Sequence, residues 1–104
     1  MQWDSRDSSD TRVVDRGGWC ELRSIGNDFP DRIGVYVFAD TTLEVKYVGK
    51  ARAGRLRVEA LDSVRRGEAR GATQAIWLAT NSETTKQSLE RVLIAKYSPP
   101  NNGR

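Results

Sequence analysis

One stretch of the chain decides the fold, residues 33–49, which reads IGVYVFADTTLEVKYVG. Residues 34–38 and 43–48 are rich in β-branched and aromatic side chains, which favour strands. Residues 39–42 lie between these two runs and predict a short connector. The stretch therefore predicts a β-hairpin.

The faces of this hairpin follow from the two-residue period of a strand. The period places Tyr36 on one face with Phe38, and it places Tyr47 on one face with Val45 and Gly49. Gly49 ends the second strand and opens a loop over residues 50–54. We expect both tyrosines to lie on adjacent strands.

The rest of the foldable chain predicts two helices and a third strand. Leu56, Ala60, Leu61 and Val64 have the spacing of one buried helix face and predict a helix over residues 55–66. Residues 73–80 are apolar nearly throughout and predict a strand. Thr84 and Gln87 form a capping-box pattern that begins a second helix, which ends near Tyr97 before two prolines. The predicted fold is α/β (α+β), in the order β-β-α-β-α, with a central, three-stranded, mainly antiparallel sheet flanked by helices.

Length and composition limit what such a chain can be. The 104 residues are 38% hydrophobic and 30% charged, with a mean hydropathy of −0.63, as in one small globular domain. Residues 1–16 are polar without a period and predict a flexible tail, which leaves residues 17–104 as the folded domain. No apolar run is long enough for a membrane span or a secretory signal, so we expect a cytoplasmic protein with no membrane partner.

Two residue counts restrict the chemistry. The sequence has no histidine, which excludes a histidine general base or metal ligand. Its single cysteine, Cys20, forms no intrachain disulfide and cannot by itself build a structural zinc site. Any catalysis must therefore use tyrosine, lysine, arginine and carboxylates.

The charge is concentrated in one segment. The formal net charge of the chain is +3, but residues 46–70 carry eight basic and three acidic residues, a net charge of +5. A local basic segment is typical of a surface that meets a polyanion, because lysine and arginine neutralise phosphates. A solvated helix face explains the charge equally well, so charge alone leaves both interpretations open.

Each predicted helix aims one charged side chain toward the core. Arg57 is followed at helical spacing by Ala60, Leu61 and Val64, and Glu90 lies among apolar positions of the second helix. A buried charge needs a partner. The two residues pair with each other or extend to the rim, or else they face a phosphate and a hard cation, for which guanidinium and carboxylate are suited.

The tripeptides Gly34-Val35-Tyr36 and Tyr47-Val48-Gly49 give the pattern a specific likeness. Together they resemble the GIY-YIG nuclease superfamily. Ten residues after the second tyrosine the family has its catalytic arginine, which falls on Arg57. The family's metal-binding glutamate, in a helix of the form L-E-x-x-L-I followed by proline and asparagine, falls on Glu90, with Asn102 as the asparagine.

The likeness covers residues 33–102. Lys50, directly after the second tripeptide, is similar to the lysine at that place in the incision subunit of bacterial nucleotide excision repair. Leu61 departs from the family, since many members have a histidine or tyrosine four residues after the catalytic arginine. A mechanism that needs this extra group is in doubt for this chain.

The resemblance implies a metal-dependent endonuclease that hydrolyses phosphodiester bonds, with DNA favoured over RNA. It implies one divalent cation, Mg²⁺ or Mn²⁺, on Glu90, and Arg57 stabilising the charge of the transition state. Water would lose its proton to a tyrosine, either Tyr36 or Tyr47, with Tyr36 slightly favoured and Lys50 supplying a nearby positive charge. Asn102 is expected to tie the C-terminal segment to the site.

Nucleic-acid backbone contacts are expected from Lys50, Arg52 and Arg55. The chain ends two residues after Asn102, so we expect specificity to come from short loops, a homodimer or a partner protein. The alternative is a non-cleaving nucleic-acid-binding module of the same fold, or a subunit of a larger nuclease assembly. A purely structural domain would instead pair Arg57 with Glu90.

Overall fold

The computed structural model describes residues 1–103. Within them lie five strands, β1 (Asp15–Arg16), β2 (Cys20–Glu21), β3 (Gly34–Ala39), β4 (Val45–Ala51) and β5 (Gln74–Ala79). Three α-helices are α1 (Ile25–Asp28), α2 (Leu56–Arg65) and α3 (Glu83–Tyr97), and two 3-10 helices span Ser5–Ser9 and Leu22–Ser24. In this part of the chain no helix is long and apolar enough to cross a bilayer.

The sheet is antiparallel, with β3 at its centre. Strand β3 pairs with β4 on one side and β5 on the other, and the order across the sheet is β1-β5-β3-β4. The two-residue strand β2 also pairs with β5. The predicted α/β (α+β) class and the three central strands are therefore confirmed, while the two short outer strands were not predicted.

Each face of the sheet carries its own hydrophobic cluster. On one face, residues of α3, including Leu89 and Leu93, pack on Val35, Val37 and Val48. On the other face, Leu56 and Ala60 of α2 pack on Tyr36 and Phe38. The two helices that carry predicted site residues thus lie on opposite faces.

A β-bulge in β4 changes which residues of that strand share a face. Phe38 lies opposite Tyr47 but Ala39 lies opposite Val45, so Lys46 is an extra residue in β4. The bulge turns Val45 to the α3 face, whereas Tyr47 joins the α2 face. The prediction that Tyr47 shares a face with Val45 was wrong, because strict alternation holds only without a bulge.

The start of α3 lies slightly before its predicted position. Ser82 is the N-cap, and its hydroxyl accepts a hydrogen bond from the Thr85 backbone N–H at 3.1 Å. Helix α3 therefore begins at Glu83, and the capping box assigned to Thr84 was wrong. Two hydroxyl residues close together make the cap ambiguous in the sequence.

Residues 1–16 fold onto the domain, where the sequence predicted a flexible tail. Trp3 is buried, and its ring stacks on that of Tyr97 with the centroids 5.3 Å apart. The backbone N–H of Asp4 donates to the Tyr97 hydroxyl at 2.9 Å, and Lys96 binds the Asp7 carboxylate at 2.9 Å. One aromatic anchor and a few polar contacts hold a segment that composition alone assigned to a tail.

Candidate active site

The edge strand β4 connects most of the predicted site residues. Its outer edge is bound by the C-terminal segment, since Asn102 accepts a hydrogen bond from the Val48 N–H and donates one to the Val48 carbonyl, both at 2.9 Å. The next residue back, Asn101, donates its backbone N–H to the Lys46 carbonyl at 3.0 Å. Asn102 thus binds the C-terminal segment to the strand that carries Tyr47 and Lys50.

The Tyr36 side chain lies over β4 at Gly49. Gly49 lies opposite Tyr36, and a Cβ atom at Gly49 would come within 2.6 Å of three atoms of the Tyr36 side chain. The side chain is only 2% exposed, and its hydroxyl lies 3.5 Å from the Glu59 carbonyl. Burial raises the pKa of Tyr36 far above its ordinary value. Because Gly49 has no side chain, the Tyr36 ring can lie against the strand at this position.

Tyr47 lies on the same face and is more accessible. Its ring centroid is 6.2 Å from that of Tyr36, and the side chain is half-buried. Burial raises the pKa of Tyr47 to about 12, and the charge of Glu68 adds to that rise. Ser63 and Arg66 act in the opposite direction. Both phenols are thus protonated at neutral pH.

Lys50 and Glu90 meet on the opposite face of the sheet. Lys50 lies opposite Val35 in the register and so points to α3, where its Nζ is 3.5 Å from a carboxylate oxygen of Glu90. It also donates to Oε1 of Gln87 at 3.1 Å. The Glu90 side chain is 19% exposed and that of Lys50 42% exposed. This pair therefore stays open to solvent on one side.

Arg57 does not point into the core. Its Nε and Nη2 bind the two carboxylate oxygens of Asp31 at 3.0 and 2.8 Å, and its side chain is 37% exposed. The buried residues of α2 are Leu56, Ala60 and Ser63, so the centre of the buried face is rotated by roughly 60° from the predicted one. The prediction that Arg57 points inward was wrong because the sequence gives no sign that Ser63 is buried.

The contacts of Arg57 and Glu90 exclude one of the interpretations of these two charges. Arg57 pairs with Asp31 and Glu90 pairs with Lys50, so the pairing of Arg57 with Glu90 expected of a purely structural domain is not made within residues 1–103. The asparagine, the lysine and the tyrosines contact or belong to β4, while Arg57 lies at the start of the helix that follows it. The predicted residues therefore divide into two sets, one on each face of the edge strand, and within residues 1–103 no hydrogen-bonded cluster unites Tyr36, Tyr47, Arg57 and Glu90.

Of the predicted backbone-contacting residues, Arg52 and Arg55 lie in the loop that joins β4 to α2, and Lys50 lies near the end of β4. Arg52 is exposed, and its charge helps to lower the pKa of Glu83 at the start of α3, after the hydrogen bond from Lys86 and the charge of Lys86. Arg55 pairs with Glu59 at 3.3 Å, one helical turn further on. Lys50, Arg52 and Arg55 thus follow one another along an exposed stretch of chain.

The sequence did not predict three residues that lie beside the tyrosines and Arg57. Ser63 and Glu68 are hydrogen-bonded to each other beneath α2, and Asp31 holds Arg57. Ser63 looks like a polar helix residue and Glu68 like a solvated loop residue. Only the packing of α2 against β4 brings them to the phenols.

The donor set suits one hard cation held mostly by water. Within residues 1–103 no three histidine, cysteine, aspartate or glutamate side chains come together as a metal site. Glu90 offers a single, partly exposed carboxylate, and Mg²⁺ commonly binds one or two carboxylates while keeping several waters. The residues present fit a cation of this kind on Glu90, where it would replace the Lys50 ammonium as the partner of the carboxylate.

The fold and these contacts define a small antiparallel α+β domain whose polar side chains gather around an edge strand. The chain is 38% identical over 102 residues to the UvrABC system protein C of Sphingopyxis alaskensis, covering 92% of this chain and 16% of that protein. It is 36% identical over 90 residues to that of Geotalea daltonii, covering 79% and 14%, and 34% identical over 103 residues to that of Desulfitobacterium hafniense, covering 90% and 16%. The chain is thus a domain related to UvrABC system protein C.

The similarity covers only a short part of each relative. The chain spans 14 to 16% of the relatives it matches, so it corresponds to one segment of a much longer protein. No protein-family model matches the chain. The relation extends to nearly all of this domain and leaves the activity to be argued from the site.

Proposed function

We propose that this domain is a metal-dependent endonuclease that hydrolyses phosphodiester bonds in nucleic acid, with DNA as its substrate in preference to RNA. The observation that carries the proposal is the meeting of Lys50 and Glu90 beside the edge strand β4, which also carries Tyr47 on its other face and is followed by the helix of Arg57. The relation to UvrABC system protein C supports it.

Glu90 is proposed to hold one Mg²⁺ or Mn²⁺ ion. The ion would polarise the scissile phosphate and stabilise charge on the departing 3′ oxygen. Lys50, 3.5 Å from Glu90, would then turn its ammonium group to a phosphate oxygen. Because the Lys50 side chain is 42% exposed, this movement requires no repacking of the core.

Arg57 is proposed to neutralise charge on the non-bridging oxygens in the transition state. Its bond to Asp31 uses Nε and one hydrogen of Nη2, which leaves the Nη1 hydrogens and the second Nη2 hydrogen for a phosphate. Guanidinium suits this role since it binds phosphate in a planar, bidentate manner. Asp31 thus leaves the phosphate-binding edge of Arg57 free.

Tyr47 is proposed to take the proton of the attacking water. The sequence slightly favoured Tyr36, but that phenol is only 2% exposed and its hydroxyl lies against the Glu59 carbonyl. Tyr47 is half-buried and so meets solvent. In this proposal Tyr36 packs across Gly49 and supports the strand. Arg52 and Arg55 bind the nucleic-acid backbone.

Nicking of supercoiled plasmid with Mg²⁺, Mn²⁺ or EDTA tests the proposal. We expect nicking with either ion and none with EDTA, and we expect Glu90→Gln and Arg57→Ala each to lower kcat by about 10²-fold or more. Arg91→Ala on α3 is a matched control, because that exposed residue adjoins Glu90 in sequence. Glu90→Gln protein that nicks at the wild-type rate would overturn the metal site, and unchanged nicking by Arg57→Ala would overturn the role of Arg57.

The second candidate is a module that binds nucleic acid without cutting it. It is favoured by the carboxylate partners of Lys50 and Arg57, which satisfy both cations without a substrate. Salt-sensitive DNA binding by a protein that does not nick with either ion would establish this alternative.

A further inference from the structure

The two ends of the basic segment, residues 46–70, lie together in the structure. Its first cation, Lys46, is in the edge strand β4, and its last, Arg70, is in the loop that follows α2. Asn101 joins them, because its backbone N–H donates to the Lys46 carbonyl at 3.0 Å and its side-chain amide donates to the Arg70 carbonyl at 2.9 Å. The same amide donates to the Glu68 carbonyl at 2.9 Å. The loop after α2 is therefore held against β4 at Lys46.

The β-bulge sets the position of the Lys46 side chain. Lys46 is the extra residue of β4 and has no partner in the register with β3, and bulges of this kind redirect a side chain. The side chain passes beside Gly71, since a Cβ atom there would lie 3.7 Å from the Lys46 Cε and 3.9 Å from its Cδ. Gly71 has a φ of +80°, a conformation that glycine adopts without strain. The lysine thus extends along the loop that carries Arg70.

Three cations form what we call the bulge patch: Lys46, Arg66 and Arg70. Arg70 is exposed and makes no ion pair within residues 1–103. Arg66 binds Glu68 through Nη2 at 3.1 Å, and half of its side chain is exposed. The Lys46 ammonium lies 3.9 Å from one oxygen of Asp40, whose other oxygen is bound within the hairpin turn. A lysine has three donors, so most of the hydrogen-bonding capacity of the patch stays open to an anion.

The bulge patch and the candidate active site lie along the same edge strand. Four residues separate Lys46 from Lys50, which is roughly 13 Å at about 3.3 Å per residue of strand. The phosphates of one strand of B-form DNA advance about 3.4 Å along the helix axis per nucleotide. The two groups of cations are therefore spaced like phosphates about four nucleotides apart.

We propose that the bulge patch binds phosphates of the nucleic-acid strand that is cleaved, about four nucleotides from the phosphate beside Lys50 and Glu90. The inference rests on the proposed function and adds a second binding site to it. Lysine and arginine at a phosphate release condensed counterions, so each contact adds affinity that depends on salt and not on sequence. Phosphate contacts fix the register of a nucleic acid. Two contact points on β4 would align the strand along this edge of the sheet.

Binding of a fluorescently labelled DNA duplex in EDTA, without cleavage, tests the bulge patch. Anisotropy measured at several KCl concentrations gives the slope of log K against log salt, to which each phosphate contact contributes about −0.9. We expect Lys46→Gln and Arg70→Gln each to make this slope less steep by about 0.9 and to weaken binding about five- to tenfold near 0.1 M salt.

The matched control is Arg23→Gln, which removes one positive charge from an exposed arginine. Arg23 follows β2, which lies on the far side of β5 from β4. We expect its salt slope to equal that of the wild type. Lys46→Arg keeps the charge and is expected to keep the wild-type slope, and it serves where Lys46→Gln does not fold.

A double variant tests whether the two groups of cations bind separate phosphates. In a Lys50→Gln background, we expect Lys46→Gln to change the salt slope by the same amount as it does alone, because contacts to separate phosphates add independently. A smaller change in that background would mean that both lysines serve one phosphate, and it would overturn the second site.

The outcomes distinguish this inference from the proposed function. A wild-type protein that nicks DNA, with Lys46→Gln and Arg70→Gln slopes no different from that of Arg23→Gln, overturns the bulge patch alone. A wild-type protein that binds DNA without nicking, with both slopes changed as expected, overturns the nuclease function and supports the patch. A wild-type protein that does not bind DNA overturns both.

Discussion

Gly49→Ala places a methyl group where the Tyr36 ring already lies. The added carbon would stand within 2.6 Å of three atoms of a side chain that is 2% exposed and packed against Phe38 and Tyr47. Neither the ring nor the strand can shift without disturbing the α2 face. Overpacking of this kind destabilises a domain by about 1–3 kcal/mol.

The direction of the stability change on Gly49→Ala distinguishes a crowded site from an open one. Alanine is intrinsically more favourable than glycine within a strand by about 0.5–1 kcal/mol, so an open site would gain stability. With an unfolding entropy of about 2.1 cal/mol/K per residue over 104 residues, a loss of 2 kcal/mol lowers Tm by about 9 °C. We therefore expect Gly49→Ala to melt clearly below wild type by calorimetry.

Two comparisons make this prediction refutable. Gly18→Ala is the matched control, since nothing lies within 4 Å of its added carbon, and it should melt near wild type. In a Tyr36→Leu background the ring is absent, so Gly49→Ala should lose much less stability. Equal losses in both backgrounds, or a Gly49→Ala protein that melts within about 2 °C of wild type, would refute the argument from ring contact.

Three other substitutions test separate contacts. Asn102→Ala removes both side-chain hydrogen bonds to Val48, so we expect a loss of about 1–3 kcal/mol in denaturant unfolding and faster hydrogen exchange at the Val48 amide; unchanged exchange would contradict this. Trp3→Ala removes a buried aromatic anchor, with an expected loss of about 3–5 kcal/mol, whereas a small loss would mean that residues 1–16 do not dock in solution. Asp31→Asn removes the negative charge beside Arg57, and we expect near-wild-type Tm with tighter DNA binding by fluorescence anisotropy; unchanged affinity would argue against phosphate binding by Arg57.

The central elements could be predicted because their signals are local. β-branched and aromatic residues predict strands β3, β4 and β5. A capping residue and the two prolines after its end predict α3. The bulge at Lys46 has no such signal, since an extra residue in one strand shows only in the pairing with the other. Segment type was thus predictable where strand register was not.

The N-terminal segment shows the opposite case. Residues 1–16 lack any period, yet Trp3 enters the cluster beside Tyr97 and Asp7 reaches Lys96. Each contact joins positions about ninety residues apart. No local pattern in a polar segment reports a docking site that distant parts of the chain create.

In the candidate site, some residues could be predicted from the sequence and their partners could not. The tripeptides, Arg57, Glu90 and Asn102 could be located from spacing, since spacing is what the resemblance uses. The partners of these residues could not. Asp31 lies in the loop before β3, and only tertiary packing brings it to Arg57.

The carboxylate partners of the two site cations have a consequence for binding. Lys50 and Arg57 each face an acid that a phosphate must displace or share, so forming those phosphate contacts exchanges one ion pair for another. Such exchanges add little net affinity at an exposed surface, where ion pairs are weak. Arg52 is exposed in the same loop and makes no ion pair within residues 1–103, although its charge acts on Glu83, so in the proposed function we expect backbone affinity to come mainly from residues of its kind. In the proposed nuclease the acids would thereby reserve Lys50 and Arg57 for the charge that develops during the reaction, where differential binding accelerates chemistry.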